Sequence, residues 1–305
     1  MSSISDYKVT RNHYKPFNKA ELMEKIKKMS ITKEGTSVVT RYGDRVISTV
    51  QVSKIYEIFD IKSYMIEKID QIAKNFNISY YHWEPGAVQQ LTLLSDIITI
   101  NGKKYYKSFF ILNSSNKVRR LSINLGLYHA DTNTYFSSKI DNMHLSKKHY
   151  IGITDKAEDV SKAITSESFE QQIEALSSLV GQKVLLSNLQ KIILVIKDIE
   201  TTSGIKQEIT KSSHQTFDNF KNKLLGSVDA LQNITNDQRN TLKTSSETLR
   251  FNVKNDILID AFKAMHCYMM CFSDKDAHTI VKESERIMKM TQYFIRQEKI
   301  NKLIN

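Results

Sequence analysis

The chain has 305 residues, 40% of them hydrophobic and 25% charged, and a formal net charge of +11. It carries no run of about 18 apolar residues that could span a membrane, and its two cysteines, Cys267 and Cys271, are too few for a disulfide framework and fit a reducing cytoplasm. The charge is lopsided: residues 1–150 hold 23 Lys and Arg against 13 Asp and Glu, residues 151–305 hold 21 against 20, and 12 of the 14 tyrosines fall in the first half.

In chain order, residues 1–15 read as an extended lead-in without the apolar core of a secretory signal. Asn18, with Glu21 three residues on, makes a capping-box pattern for a short helix whose Leu22, Ile26 and Met29 share one side. Residues 36–50 read as a hairpin turning near Gly43, which sets Arg41 and Arg45 close together beside Tyr42. Asp60 caps an amphipathic helix with Ile61, Met65, Ile69, Ile72 and Phe76 as its buried stripe. Residues 79–84 form a strand holding Trp83, the single tryptophan and an expected core anchor, and Pro85-Gly86 ends it.

The densest signal lies between Gln89 and Arg120. Two runs of β-branched and aromatic residues flank Asn101-Gly102, the dipeptide best suited to a type I′ turn, so a long hairpin is expected. Its returning strand interleaves Lys103, Lys104 and Lys107 with Tyr105 and Tyr106, and Lys117, Arg119 and Arg120 follow. No Asp or Glu occurs from Ile97 to Ala130. Cations beside aromatic rings on a sheet suit a phosphate backbone with bases to stack. The competing reading is an edge hairpin whose lysines only deter aggregation. Residues 121–128 and 134–140 read as further strands.

From Asp155 the pattern turns helical. Phe169, Ile173, Leu176 and Val180 form a stripe that stops at Gly181. Residues 184–199 are apolar enough to be a central buried helix, Phe217, Phe220 and Leu224 mark another that ends at Gly226, and residues 201–213 read as a mobile loop. Two long helices, about 245–272 and 277–300, close the chain. The expected fold is therefore α+β: an N-terminal antiparallel sheet with a packed helix, then an all-helical C-terminal half. The expected domains are residues 1–150 and 151–305, either separate or packed as one unit.

Patterns that carry chemistry are mostly missing. There is no phosphate-binding glycine loop, dinucleotide fingerprint, nucleophile elbow or His-Glu-x-x-His helix. His266, Cys267 and Cys271 share a predicted helix with zinc-like spacing, but Met265, Met269, Met270 and Phe272 around them read as core. His144 and His149 surround Lys147 and Lys148 in what reads as a surface loop. His129 with Asp131, and His82 with Glu84, lack an accompanying nucleophile. No catalytic residue, metal ligand or cofactor is expected.

The segment YEIFDIKSYMIEKIDQIAKNF and the later FFILNSSNKVRRLSINLGLYH resemble an uncharacterised domain family of phages and plasmids, the phage/plasmid-like proteins. The matching features are Tyr56 to Phe59, Asn113-Ser114, Arg119 or Arg120, and Asn124 to Gly126. Ser115-Asn116 stands where many relatives have His-Asp-Gly, and Ser122 where a cysteine is common. The resemblance implies a phage or mobile-element origin and a role near DNA replication or recombination, and supplies no mechanism.

The lopsided charge calls for an anionic partner, and nucleic acid fits better than lipid because no helix carries a dense Lys/Arg face. The leading expectation is a non-enzymatic nucleic-acid-binding protein of the host cytoplasm, favouring single-stranded DNA, with an annealing or recombination-accessory role. Lys103, Lys104, Lys107, Lys117, Arg119, Arg120, Arg41 and Arg45 would hold phosphates, and Tyr105 and Tyr106 would stack on bases. The alternatives are a protein-interaction or virion-associated protein, structural or an inhibitor of a host factor, acting through the helical half, or an uncharacterised hydrolase or nuclease; a homo-oligomer is among the expected partners.

Overall fold

The computed structural model describes residues 13–117, 120–137, 144–163, 166–185, 188, 258–270 and 277–304. The chain divides into two compact units: Met1–Asp131 with Lys139–Ile173, and Thr132–Ser138 with Glu174–Asn305.

Six strands of the main antiparallel sheet lie in the first unit. They are β1 (Lys15–Pro16), β5 (Tyr80–Glu84), β6 (Val88–Ile100), β7 (Lys103–Ser114), β8 (Leu121–His129) and β10 (His144–Lys147), side by side in that order. Asn101 and Gly102 take φ of 48° and 74°, the left-handed pair that a type I′ turn needs, and they join β6 to β7 with Ile100 opposite Lys103. A register shift between Leu94 and Ile97 bends β6 halfway along. A second sheet of three strands, β2 (Met29–Glu34), β3 (Ser37–Tyr42) and β4 (Arg45–Gln51), turns at Gly43, whose φ is 59°.

Four helices accompany these sheets: α1 (Lys19–Lys27), α2 (Ile61–Phe76), α3 (Ile153–Ala163) and α4 (Ser166–Ser177). The caps are local chemistry. The Asn18 side chain accepts from the Glu21 N–H, and Asp60 accepts from the Lys62 N–H and the Ser63 hydroxyl. Asn77 ends α2 in the left-handed region at φ 39°. Leu22 and Ile26 of α1, the whole predicted stripe of α2, Ile153 and Ala157 of α3 and Phe169 of α4 pack with Leu91, Leu93, Phe109, Ile111, Ile123 and Leu125 of the sheet. Trp83 lies half-buried against the same cluster. A smaller cluster of Val38, Val52 and Tyr56 fills the space under the three-stranded sheet.

The second unit contains β9 (Thr134–Phe136), β11 (Lys183–Leu185), β12 (Leu258–Asp260), α5 (Ala261–Met269) and α6 (Ala277–Ile304). The expectation of one N-terminal sheet with a packed helix followed by an all-helical half is overturned. There are two sheets in the first unit, and β11 pairs antiparallel with β12 in the second, Val184 opposite Ile259. Both residues are buried and β-branched, and a short apolar run has the same periodicity signal as a buried helix turn. Of the expected helix over about 245–272, residues 245–257 and 271–272 lie outside the described residues; 258–260 are strand, and α5 begins at Ala261, where Asp260 caps it by accepting from the Lys263 N–H. The second unit takes up the chain at Glu174, within α4, besides Thr132–Ser138, and Ile153, Ala157 and Phe169 belong to the first unit's core. The 201–213 loop, the 217–226 helix and most of 184–199 lie outside the described residues. No described helix is long and apolar enough to cross a membrane.

Phe109 is fully buried where β7 meets the helical layer. Phe109→Ala should lower unfolding stability by about 3–5 kcal/mol. A urea midpoint within experimental error of wild type would remove β7 from the core.

Candidate functional site

Three connections meet at the end of the main sheet where β7 stops and β8 starts. The segment after β4 contributes Ser53 and Tyr56, the β7–β8 connection contributes Lys117 and Arg120, and the β10–α3 connection contributes Lys148, His149 and Tyr150. Together they line a cavity of about 410 Å³, within the usual range for small-molecule sites. The described lining holds three permanent cations and no carboxylate.

Tyr56 ties the walls together. Its hydroxyl donates to the Ser114 carbonyl at 3.0 Å, its ring stacks on His149 with centroids 5.2 Å apart and planes 16° apart, and its backbone bridges to Tyr150. Burial pushes its phenol up to about 12, so it stays a neutral donor. Glu57, next in sequence, fastens the third wall. Its carboxylate accepts from the Gly152 N–H at 2.6 Å and the Thr154 hydroxyl at 2.9 Å, and its own N–H donates to the His149 carbonyl at 3.3 Å. A carboxylate at the start of α3 answers the helix dipole there, so that helix end is already occupied. The three-stranded sheet is anchored at the same end by the Thr40 hydroxyl, which donates to the Ser115 hydroxyl at 2.5 Å.

Lys117, Arg120 and Lys148 are exposed, and none makes an ion pair among the described residues. Lys117 sits at φ 64°, a conformation that costs a side-chain-bearing residue about 1–2 kcal/mol. His149 is only 4% exposed, and neither ring nitrogen has a hydrogen-bond partner among the described residues. Burial lowers its pKa, against the opposing pull of Glu57, which leaves the imidazole neutral near pH 7. At the rim, Tyr150 is 49% exposed, next to exposed Ile151 and near exposed Ile55.

The residues expected to bind phosphate are not gathered on one surface. Lys117 and Arg120 line the cavity. Lys103 and Lys104 sit at the far tip of the hairpin, opposite Ile100 and Thr99, about 35 Å from the end of β7 at a rise of about 3.4 Å per residue. Lys107 lies over the Phe169 ring at 5.9 Å and 3.9 Å from the Glu170 carboxylate. Arg41 and Arg45 flank the Gly43 turn of the second sheet. Arg119 falls outside the described residues.

The base-stacking tyrosines are buried. Tyr105 is 0% and Tyr106 1% exposed, with Tyr105 against the His129 ring at 5.1 Å and Tyr106 edge-on to Tyr80 at 5.8 Å. Strands β7 and β8 are covered on both faces, so these two strands leave no open face for bases to stack on. His149 is likewise buried rather than on a surface loop. His266 packs against Phe136 and Phe262, Cys267 is buried, and Cys271 is outside the described residues. Among the described residues no group of three or more His, Cys, Asp or Glu is placed to hold a metal.

Ser53, Tyr56, Lys148 and Tyr150 were not among the expected site residues. The Lys-Lys-His-Tyr run from 147 to 150 repeats the basic-aromatic mixture of β7, and that was the available signal. Tyr56 bonds to Ser114, the Asn113 side chain donates to the Phe59 carbonyl at 3.0 Å, and Arg120 lines the cavity that Tyr56 walls. No family model, curated protein or solved structure matches the chain.

The buried imidazole makes stability depend on pH. Its folded pKa lies below the ordinary value of about 6.5, so below that pH the unfolded chain takes up a proton that the folded chain refuses. This contribution is present above pH ~6.5 and is lost as the pH falls toward the folded value. His149→Phe, which keeps a ring against Tyr56, should therefore lose less stability than wild type between pH 7 and pH 5 in urea melts. Equal losses would show that His149 titrates normally.

Proposed function

We propose that the protein binds nucleic acid without chemical turnover, and that it does so through the basic cavity rather than across the sheet. One observation carries this reading: Lys117, Arg120 and Lys148 surround a single cavity with no carboxylate in its described lining. Cations with no ion-pair partner among the described residues are available to displace counterions from phosphates. Tyr150, half-exposed at the rim, offers a ring for an unstacked base. A cavity of about 410 Å³ takes a nucleotide-sized group and not a double helix, which favours a single strand. The phage/plasmid-like resemblance supports a mobile-element setting in a host cytoplasm, with annealing or recombination as the process served. That part of the reading is by analogy alone.

The test is fluorescence anisotropy with a labelled single-stranded oligonucleotide over a salt series. Three phosphate contacts on a single strand predict a slope of about −2 for log affinity against log salt. The variant Lys117→Gly/Arg120→Gln/Lys148→Gln should flatten that slope, whereas Lys103→Glu/Lys104→Glu should leave binding by the cavity in place. Lys117→Gly removes the charge while relieving the strained φ, so weaker binding could not be blamed on unfolding. A salt-independent wild type, or a cavity variant that binds as well as wild type, would overturn the proposal.

A further inference from the structure

We infer that the cavity seats a terminal phosphate, a phosphomonoester at the end of a nucleic-acid strand, gripped by Lys117, Arg120 and Lys148 and hydrogen-bonded by His149. This rests on the nucleic-acid reading above and narrows it to one chemical group.

Charge is the first argument. An internal phosphodiester carries one negative charge, whereas a phosphomonoester carries about −1.5 to −2 near pH 7 and presents three terminal oxygens. Three cations around one cavity match the monoester better. A passing backbone would be served by cations spread along a track, and Lys103 and Lys104, at the far tip of the hairpin, do not continue one from this cavity.

The second argument is the unsatisfied imidazole. A buried polar nitrogen with no partner costs free energy and calls for an explanation. His149 has two such nitrogens and lines the cavity. A phosphate oxygen would supply an acceptor that neither ring nitrogen finds at hydrogen-bond distance among the described residues. The groups around His149 are Tyr56 stacked on its ring, Glu57 at its backbone, Lys148 and Tyr150 beside it in sequence, and Lys117 and Arg120 in the same lining. The Glu57 carboxylate is engaged by the Gly152 N–H and the Thr154 hydroxyl, and its charge favours the protonated imidazole. Without a ligand the imidazole is neutral beside three cations; with a dianionic phosphate present, a proton on His149 becomes favourable. The cations themselves keep the phosphate deprotonated, so the proton taken up on binding belongs to His149.

The experiment compares one short single-stranded sequence with a 5′-phosphate, a 3′-phosphate or hydroxyls at both ends, alongside the matching nucleoside monophosphate. Wild type should bind one of the phosphorylated strands about tenfold or more tightly than the hydroxyl strand, the difference expected for one charge-assisted hydrogen-bonded group. The preference should collapse in Lys117→Gly and in His149→Gln. Calorimetry at pH 7.5 in two buffers of different ionisation enthalpy should register proton uptake with wild type and none with His149→Gln. Equal affinity for phosphorylated and hydroxyl strands would overturn the terminal-phosphate assignment and leave nucleic-acid binding standing. A monophosphate that binds as tightly as the phosphorylated strand would overturn the strand end as the ligand. Failure to bind any oligonucleotide would sink both this inference and the reading beneath it.

Discussion

Burial of β7 on both of its faces is the constraint that orders the first unit. Phe109 and Ile111 point into the helical layer while Phe110 and Leu112, one residue out of phase, are buried as well. Only strands with apolar cover on each side look like this, and antiparallel sheets more often leave one face to solvent. With the faces closed, anything the sheet presents to a ligand must come from its ends. The Asn101-Gly102 turn and the register it imposes then decide which basic residues reach which end. Lys103 and Lys104 go to the tip. Lys117 and Arg120 go to the opposite end, where they meet the two other connections.

That end is assembled by polar rather than apolar contacts. Tyr56 is held by Ser114, Asn113 by the Phe59 carbonyl and by Gln89 at 2.6 Å, and the loop before α3 by Glu57. These bonds are buried or half-buried, and each is geometrically demanding in a way that side-chain packing is not. The result is a cavity whose walls come from positions roughly sixty and thirty residues apart in sequence, yet whose cations stay in solvent. Exposed charges of this kind add little to stability. Their placement is therefore open to a binding role without a cost to the fold.

Much of the local structure was legible. The caps at Asn18 and Asp60, the turns at Gly43 and Asn101-Gly102, and the α2 stripe each depend on residues within one turn of each other, and local rules suffice for them. What was not legible depends on layers. Alternation on β7 assigns Tyr105 and Lys107 to one face, but it cannot say whether that face is covered. Here Tyr105 is buried and Lys107 extends its stem across Phe169 toward Glu170. The β11–β12 pair fails for a related reason: Val184 and Ile259 find each other across more than seventy residues, and no local pattern marks such a partner. His149 was misread as a surface residue because its two lysine neighbours suggest solvent, while the ring lies inward, stacked on Tyr56.

The lopsided charge can now be separated from the sheet that first seemed to explain it. A net surplus of cations creates a field around a protein wherever those cations stand. It speeds the approach of a polyanion without defining where the polyanion rests. Lys103, Lys104, Arg41 and Arg45, dispersed over the tip and the second sheet, suit that long-range role. A resting place needs more: convergence, partial exclusion of water and an unmet hydrogen-bonding demand. In the first unit the cavity of Lys117, Arg120, Lys148 and His149 combines all three. The lysines of β7 drew notice because they sit among aromatics in sequence. In the folded chain it is a lysine-histidine-tyrosine run near the end of the same unit that stands beside an aromatic ring and an open space.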